Sequence, residues 1–155
     1  MEKEEINKGT LYIVATPIGN LGDMTFRAVE ILKNVTFIAA EDTRHVQKLL
    51  QHYEIKTPSK SFHSYSSDGR LDEIIIALKT EKSVALVSDA GTPGISDPGY
   101  TLIKKAIENE IPIIPIPGAS ALLPALVGSG LPMHHFAFYG FLPLKKGRQT
   151  LLKSW

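Results

Sequence analysis

Four segments rich in glycine or polar residues follow apolar runs that have the character of strands. They are residues 16–23, 41–45, 88–99 and 117–123. Ligands of open α/β sheets bind beyond the carboxyl ends of the strands, which is where such segments lie. Their order along the chain therefore predicts a ligand site that several strand ends share.

The segment 88–99 gives the strongest indication of chemistry, because twelve residues hold three glycines, two prolines and two aspartates. Asp97 and Pro98 have a local explanation, as the N-cap and first residue of a helix. Asp89 has none, since it directly follows the apolar run 83–87, where an unpaired carboxylate is costly. Asp89 therefore needs backbone donors, a ligand hydroxyl or a cation, and we favour a functional role.

The two other glycine-containing segments are less specific. In residues 16–23, Gly19 and Gly22 let backbone amides approach a ligand, but their spacing matches neither the dinucleotide nor the P-loop motif. A plain strand-to-helix turn is the more favoured interpretation there. In residues 117–123, a small-residue turn beside a ligand and a tight turn with Ser120 as N-cap are equally supported.

The fourth segment, residues 41–45, places two carboxylates, a guanidinium and an imidazole after Ala40. Such a cluster at the end of a strand is typical of an active site. It also has a structural interpretation, in which Glu41 pairs with Arg44 or Asp42 caps the next helix.

Composition limits the other possibilities. The chain has no cysteine, and its five histidines lack metal-ligand spacing, so we expect no disulfide and no metal. Seventeen Lys and Arg balance sixteen Asp and Glu, for a net charge of +1. There is no apolar run long enough to span a membrane and no signal-peptide pattern at the start, which predicts no membrane partner and a cytoplasmic location.

The elements that position these segments alternate between strand and helix about five times. Apolar strands without polar alternation indicate burial on both faces. The fold class predicted is α/β, with a mainly parallel five-stranded sheet and helices on both faces. The strands are expected at residues 11–15, 35–40, 60–62, 83–87 and 111–116, the last at an edge because of Pro112 and Pro115, with a possible extra strand at 136–139.

The domain organisation follows from composition. Residues 1–8 are predicted to form a flexible leader and residues 9–142 an α/β domain that carries the predicted ligand site. Residues 143–155 are predicted to connect to a C-terminal domain absent from this chain. A small C-terminal helix docked on the sheet is the equally weighted alternative.

The sequence resembles the small-subunit ribosomal RNA 2′-O-ribose (cytidine) methyltransferases of the tetrapyrrole methylase, or class III methyltransferase, superfamily. The resemblance rests on residues 16–23, 40–44, 88–99 and 117–121, together with Gly130-Leu-Pro132 and Gly140-Phe-Leu-Pro143. It covers about residues 9–148. Two departures stand out: Gly94 replaces a larger apolar residue, and residues 62–70 differ from the family's run, so no role is carried over to them.

The resemblance implies methylation of a cytidine ribose in 16S rRNA near the decoding centre, by a two-domain homodimer with S-adenosylmethionine between its domains. The cofactor-binding residues that it indicates are Pro17, Gly19, Asp89, Gly91, Thr92, Ser120 and Ala121. A ribose hydroxyl reacts poorly until its proton is taken. We expect Glu41 or Asp42 to act as base, and Arg44 to contact phosphate or fix the carboxylate.

Two rival functions remain. A tetrapyrrole or corrin C-methyltransferase shares the fold and cofactor, but a different loop after the second strand is expected there. The other rival is a non-catalytic nucleotide- or RNA-binding module. The net charge of +1 argues against RNA binding by this piece alone.

Overall fold

The computed structural model describes residues 6–62, 68–96, 99–144 and 147–154. Five strands, all parallel, form one sheet in the order β3-β2-β4-β1-β5. The strands are β1 Leu11–Val14, β2 Phe37–Ala40, β3 Ser59–Ser61, β4 Val84–Val87 and β5 Ile113–Ile116. The predicted α/β fold with a five-stranded parallel sheet is confirmed.

The helices are α1 Phe26–Asn34, α2 Thr43–His52, α3 Asp68–Lys79, α4 Tyr100–Glu108, α5 Leu122–Gly128 and α6 Arg148–Lys153, with a 3-10 turn at Leu21–Asp23. Helices α1 to α4 connect successive strands, and α5 and α6 follow β5. Thr25 caps α1 by accepting a hydrogen bond from the Ala28 amide, and Asp42 caps α2 in the same way from the Arg44 amide. The Asp42 cap is one of the structural roles that the sequence predicted.

Each face of the sheet carries its own apolar core. On one face, side chains of α1 and α2, such as Ile31 and Leu50, pack on alternate strand residues such as Ile38. On the other, residues of α3 and α4, such as Leu78, pack on the intervening strand residues, such as Leu86. The prediction of helices on both faces is therefore confirmed. Because all five strands are parallel, their carboxyl ends lie together at one end of the sheet.

The proline-containing strand β5 lies at the edge of the sheet, as predicted. In the described sheet β5 has one neighbouring strand, β1, and Pro115 pairs in register with Ile13 of that strand. A proline lacks the N–H that a second neighbour would need. β5 is also less buried than the central strands, with only Ile116 fully inside.

Three local predictions are wrong. Among the described residues no strand follows β5, and residues 136–139 stay in irregular chain with Phe136 and Phe138 more than half exposed. Ser120 does not cap α5, because Ala121 occupies the N-cap position and makes no side-chain hydrogen bond. The helix expected to begin at Pro98 with Asp97 as cap begins at Tyr100.

The late start of α4 has a backbone reason. Gly99 is its N-cap with φ +144°, a conformation that favours glycine. A Cβ at Gly99 would also lie 3.1 Å from Leu86 Cδ2. Asp97 and Pro98 themselves lie outside the described residues.

Candidate functional site

The predicted segments 16–23 and 88–99 are joined at the carboxyl ends of β1 and β4. Thr16 and Gly91 form an isolated antiparallel bridge with two backbone hydrogen bonds of 2.9 Å. The Thr16 hydroxyl donates to the Ser88 carbonyl at 3.0 Å, and both residues are buried. The loops therefore leave the sheet as one unit and not as two independent turns.

The segment after β5 packs onto the same unit. A Cβ placed on Gly118 would lie only 2.9 Å from the Cβ of Ala15, so the chain there passes as close to β1 as a glycine permits. The Thr92 hydroxyl donates to the Ala119 carbonyl at 3.4 Å. Three of the four predicted segments thus meet in one place.

The fourth segment is tied in through Asp89. The backbone N–H of Asp42, directly after β2, donates to Asp89 Oδ1 at 3.2 Å. A backbone donor is one of the three kinds of partner that the sequence predicted for Asp89. One oxygen of Asp89 is thus held by the loop after β2, and the residue stays partly exposed at the strand ends.

Two cavities open at this edge. The large strand-end cavity, about 370 Å³, is lined by four of the predicted cofactor residues, Gly91, Thr92, Ser120 and Ala121. Its apolar walls come from residues that the sequence did not single out: Ile18, Ile95, Leu122 and Phe138. Among these, Ile18 could have been noticed as an aliphatic side chain in a glycine-rich loop.

The small strand-end cavity, about 240 Å³, holds two more of the predicted cofactor residues, Pro17 and Asp89. Its outer wall is formed by α2 with His45 and Lys48. Gly19 lines neither cavity; it is exposed, with φ +141°, and a Cβ added there would meet nothing within 4 Å. The structure therefore divides six of the seven predicted cofactor residues between two neighbouring cavities.

The predicted catalytic cluster is dominated by an ion pair. Arg44 donates from Nη2 to Asp42 Oδ2 at 2.8 Å, from Nε to Oδ1 at 3.1 Å, and from its backbone N–H to Oδ1 at 2.8 Å. These bonds hold the pKa of Asp42 well below its usual range, and the same pairing raises the pKa of Arg44. Asp42 is consequently a weak proton acceptor.

A third cavity, about 320 Å³, lies at the opposite edge of the sheet and contains none of the predicted site residues. It borders Thr36 and Pro58, which precede β2 and β3.

In the part of the chain that the structure describes, no helix has the length and apolarity to cross a membrane. In that same part, no three acidic or imidazole side chains gather as metal ligands would.

Comparison with known proteins places the chain in a family. The profile of the tetrapyrrole (corrin/porphyrin) methylases matches residues 10–153. The chain is 58% identical to a ribosomal RNA small subunit methyltransferase I of Synechocystis sp., over 94% of this chain and 53% of that protein. It is 54% identical to the protein of the same name from Halalkalibacterium halodurans, over 96% of this chain and 52% of that one.

A solved structure agrees on the fold. Uroporphyrin-III C-methyltransferase from Thermus thermophilus superposes with a TM-score of 0.59 at 20% identity, over 83% of this chain and 55% of that one. The chain spans about half the length of the curated relatives it matches. From the profile match across most of its residues, the chain belongs to the tetrapyrrole methylase family.

Proposed function

We propose that the chain is the cofactor-binding half of an S-adenosylmethionine-dependent methyltransferase acting on ribosomal RNA of the small subunit. The observation that carries the proposal is the 58% identity, over 94% of this chain, to a protein named for that activity. By contrast, the matched tetrapyrrole enzyme is 20% identical, which supports a common fold alone.

The large strand-end cavity suits a small cofactor. Its volume of about 370 Å³ lies within the range of small-molecule sites, roughly 300–1,000 Å³. The apolar walls suit the adenine ring of the cofactor, and the hydroxyls of Thr92 and Ser120 are polar groups that could fix its orientation. When bound, S-adenosylmethionine would supply an electrophilic methyl group on a positively charged sulfur.

The chain's own residues would then bind and orient. We assign Gly91, Thr92, Ser120 and Ala121 to the large cavity's ligand, and Asp89 to the boundary between the two cavities. Pro17 and Gly19, on the loop after β1, remain proposed cofactor-binding residues. Positioning of donor and acceptor is a major part of catalysis by such an arrangement.

For proton removal from the ribose 2′-hydroxyl, Glu41 is the stronger of the two proposed bases. The Asp42 carboxylate is held by Arg44, and its lowered pKa makes it a poor acceptor. Arg44 in turn fixes that carboxylate, one of the two roles expected of it. A Glu41→Gln enzyme with normal turnover would remove Glu41 from the mechanism.

We further propose that the target is the 2′-oxygen of a cytidine in 16S rRNA near the decoding centre, modified in the cytoplasm. The domain division stays part of this proposal, with residues 9–142 as the cofactor-binding domain and 143–155 as a connector. The test uses the chain extended to the length of its relatives, isotopically labelled S-adenosylmethionine, and small subunits lacking their modifications.

Three outcomes are distinguishable. Label that blocks alkaline cleavage at one cytidine supports 2′-O-methylation, because the nucleophile of that cleavage is the 2′-hydroxyl. Label on a base contradicts the ribose assignment. Cofactor binding without any transfer to RNA contradicts the RNA substrate and favours a tetrapyrrole acceptor.

We also propose that the enzyme is a homodimer. Exposed apolar side chains follow α5 in a region with little core of its own: Leu131, Phe136, Phe138, Phe141 and Leu144. Several large apolar side chains exposed within one short segment are typical of an interface. Sedimentation equilibrium of the extended chain tests the proposal, and a monomer at micromolar concentration would contradict it.

A further inference from the structure

Helix α2 presents two cationic or titratable side chains to the site. His45 and Lys48 lie three residues apart, so they share one face of the helix. Both are exposed, and both line the small strand-end cavity. Among the described residues neither side chain takes part in an ion pair, whereas neighbouring Arg44 is engaged by Asp42.

The rest of this cavity is fixed by packing. Val46 and Leu49 are buried on the inner side of α2, and buried Thr16 and Ser88 form the floor. The Tyr53 hydroxyl, at the end of α2, donates a hydrogen bond to the Leu21 carbonyl and ties the first loop to the helix. The cavity is thus built between two elements that are held together.

The small cavity adjoins the large one. Asp89 lines the small cavity and the next residue, Ala90, lines the large one. The two differ in charge: the described lining of the large cavity contains no ionisable cation or carboxylate, whereas the small one holds His45, Lys48 and Asp89. Of these two described linings, that of the small cavity alone offers a phosphate group a lysine ammonium and an imidazole N–H donor, and both belong to α2.

We propose that the small strand-end cavity receives the target nucleotide of the RNA, with Lys48 and His45 contacting its phosphate; this rests on the proposed function. A volume of about 240 Å³ lies below the roughly 300–1,000 Å³ of sites that hold a whole small molecule, so the cavity suits one nucleotide unit of a longer chain and not a second whole cofactor. Occupancy there puts the acceptor beside the donor's cavity, as transfer requires. Lys48 and His45 are positioning residues in this assignment.

The experiment compares Lys48→Ala, His45→Ala and the charge-preserving Lys48→Arg in the chain extended to the length of its relatives. Lys56→Ala is the matched control, because Lys56 is an exposed lysine beyond the far end of α2, towards the start of β3. Each protein is measured for the KM for small subunits lacking modifications, kcat, the dissociation constant of S-adenosylmethionine, and the salt dependence of subunit binding.

Lys48→Ala and His45→Ala are expected to raise the KM for subunits by about three- to tenfold, since each removes a phosphate contact. For Lys48→Ala the slope of log affinity against log salt should fall by about 1. Cofactor affinity and kcat should change little. Lys48→Arg should restore most of the KM, and Lys56→Ala should behave as wild type.

Two results overturn the inference while leaving the proposed function intact: wild-type KM and salt slope in both alanine variants, or weakened S-adenosylmethionine binding, which would assign the small cavity to the cofactor. A wild-type enzyme that binds cofactor yet never methylates the subunit removes the proposed function, and the inference with it.

Discussion

The backbone N–H of Asp42 donates a hydrogen bond of 3.2 Å to Oδ1 of Asp89, a residue 47 positions later in the chain. This bond joins the loop after β2 to the loop after β4, two strands that are neighbours in the sheet. It places the segment with the predicted base beside the segments with the predicted cofactor residues. In the proposed site, cofactor and acceptor chemistry therefore share one carboxylate.

Replacing Asp89 separates the two tasks of that carboxylate. Asp89→Ala removes the acceptor of the Asp42 N–H and should lower the free energy of unfolding by about 0.5–1.5 kcal/mol, the usual net value of one hydrogen bond. Asp89→Asn keeps an oxygen for that N–H and should lose less stability. Urea unfolding of the 155-residue chain measures both.

Cofactor affinity gives the second measurement on Asp89. In the chain extended to the length of its relatives, Asp89→Ala should bind S-adenosylmethionine more weakly by calorimetry. An unchanged dissociation constant would show that Asp89 serves the loops and not the cofactor.

Thr16 tests whether the loops after β1 and β4 depend on each other. Its hydroxyl donates to the buried Ser88 carbonyl at 3.0 Å. Thr16→Val keeps the shape but leaves that carbonyl without this donor, at an expected cost of about 1–3 kcal/mol in the free energy of unfolding. Thr16→Ser retains the hydroxyl and is the control; a loss in Thr16→Ser with none in Thr16→Val would argue that packing of the methyl group, not the hydrogen bond, matters here.

Gly118 tests the close approach of the 117–121 segment to β1. In Gly118→Ala the new Cβ would meet Ala15 Cβ at 2.9 Å, so the segment must move away from the buried strand end. We expect a loss of about 1–3 kcal/mol in stability, as for overpacked cores, and weaker cofactor binding. Thermal unfolding and calorimetry measure the two effects.

Gly128→Ala is the matched control for Gly118→Ala. Gly128 ends α5, and a Cβ there meets nothing within 4 Å. Its substitution should be neutral or slightly stabilising, because alanine restricts the unfolded chain more than glycine. If both alanine variants were equally stable, the contact with Ala15 would not constrain the loop.

Much of the fold was predictable because four of the five strands, all except the Ser-Lys-Ser strand β3, are short apolar runs between polar segments. The wrong predictions have a common cause, namely local signals without information on packing. Phe136 and Phe138 look like strand residues, yet the described chain offers them no place in the sheet. Ser120 has the chemistry of an N-cap, but the helix starts one residue too late for it.

The site was predictable to the level of loops but not of cavities. Asp89 was identified because its position made an unpaired carboxylate costly, and the structure supplies a backbone donor. Lys48 gave no signal, since an exposed lysine on an amphipathic helix is ordinary. Its place in the same cavity as Asp89 depends on the packing of α2 against the loops after β1 and β4, a long-range property that spacing along the chain does not contain.

The Asp42–Arg44 pair predicts a specific dependence of stability on acid. The folded-state pKa of Asp42 lies below its usual value, near 4, so the stabilisation is present above that pH and is lost as the pH falls below it. In Asp42→Asn the cap oxygen remains but the charge is gone. Wild type should therefore be more stable than Asp42→Asn at pH 7, and the difference should shrink towards about pH 2.

Urea unfolding of both proteins across this pH range measures the effect, and Arg44→Gln serves as the control that removes the same attraction from the other side. Because the Arg44 side chain is 90% exposed, added salt should also reduce the difference at pH 7. A gap between wild type and Asp42→Asn that stayed constant down to about pH 2 would mean that the carboxylate acts through hydrogen-bond geometry alone. The charge of Asp42 would then have no part in holding the start of α2 beside Asp89.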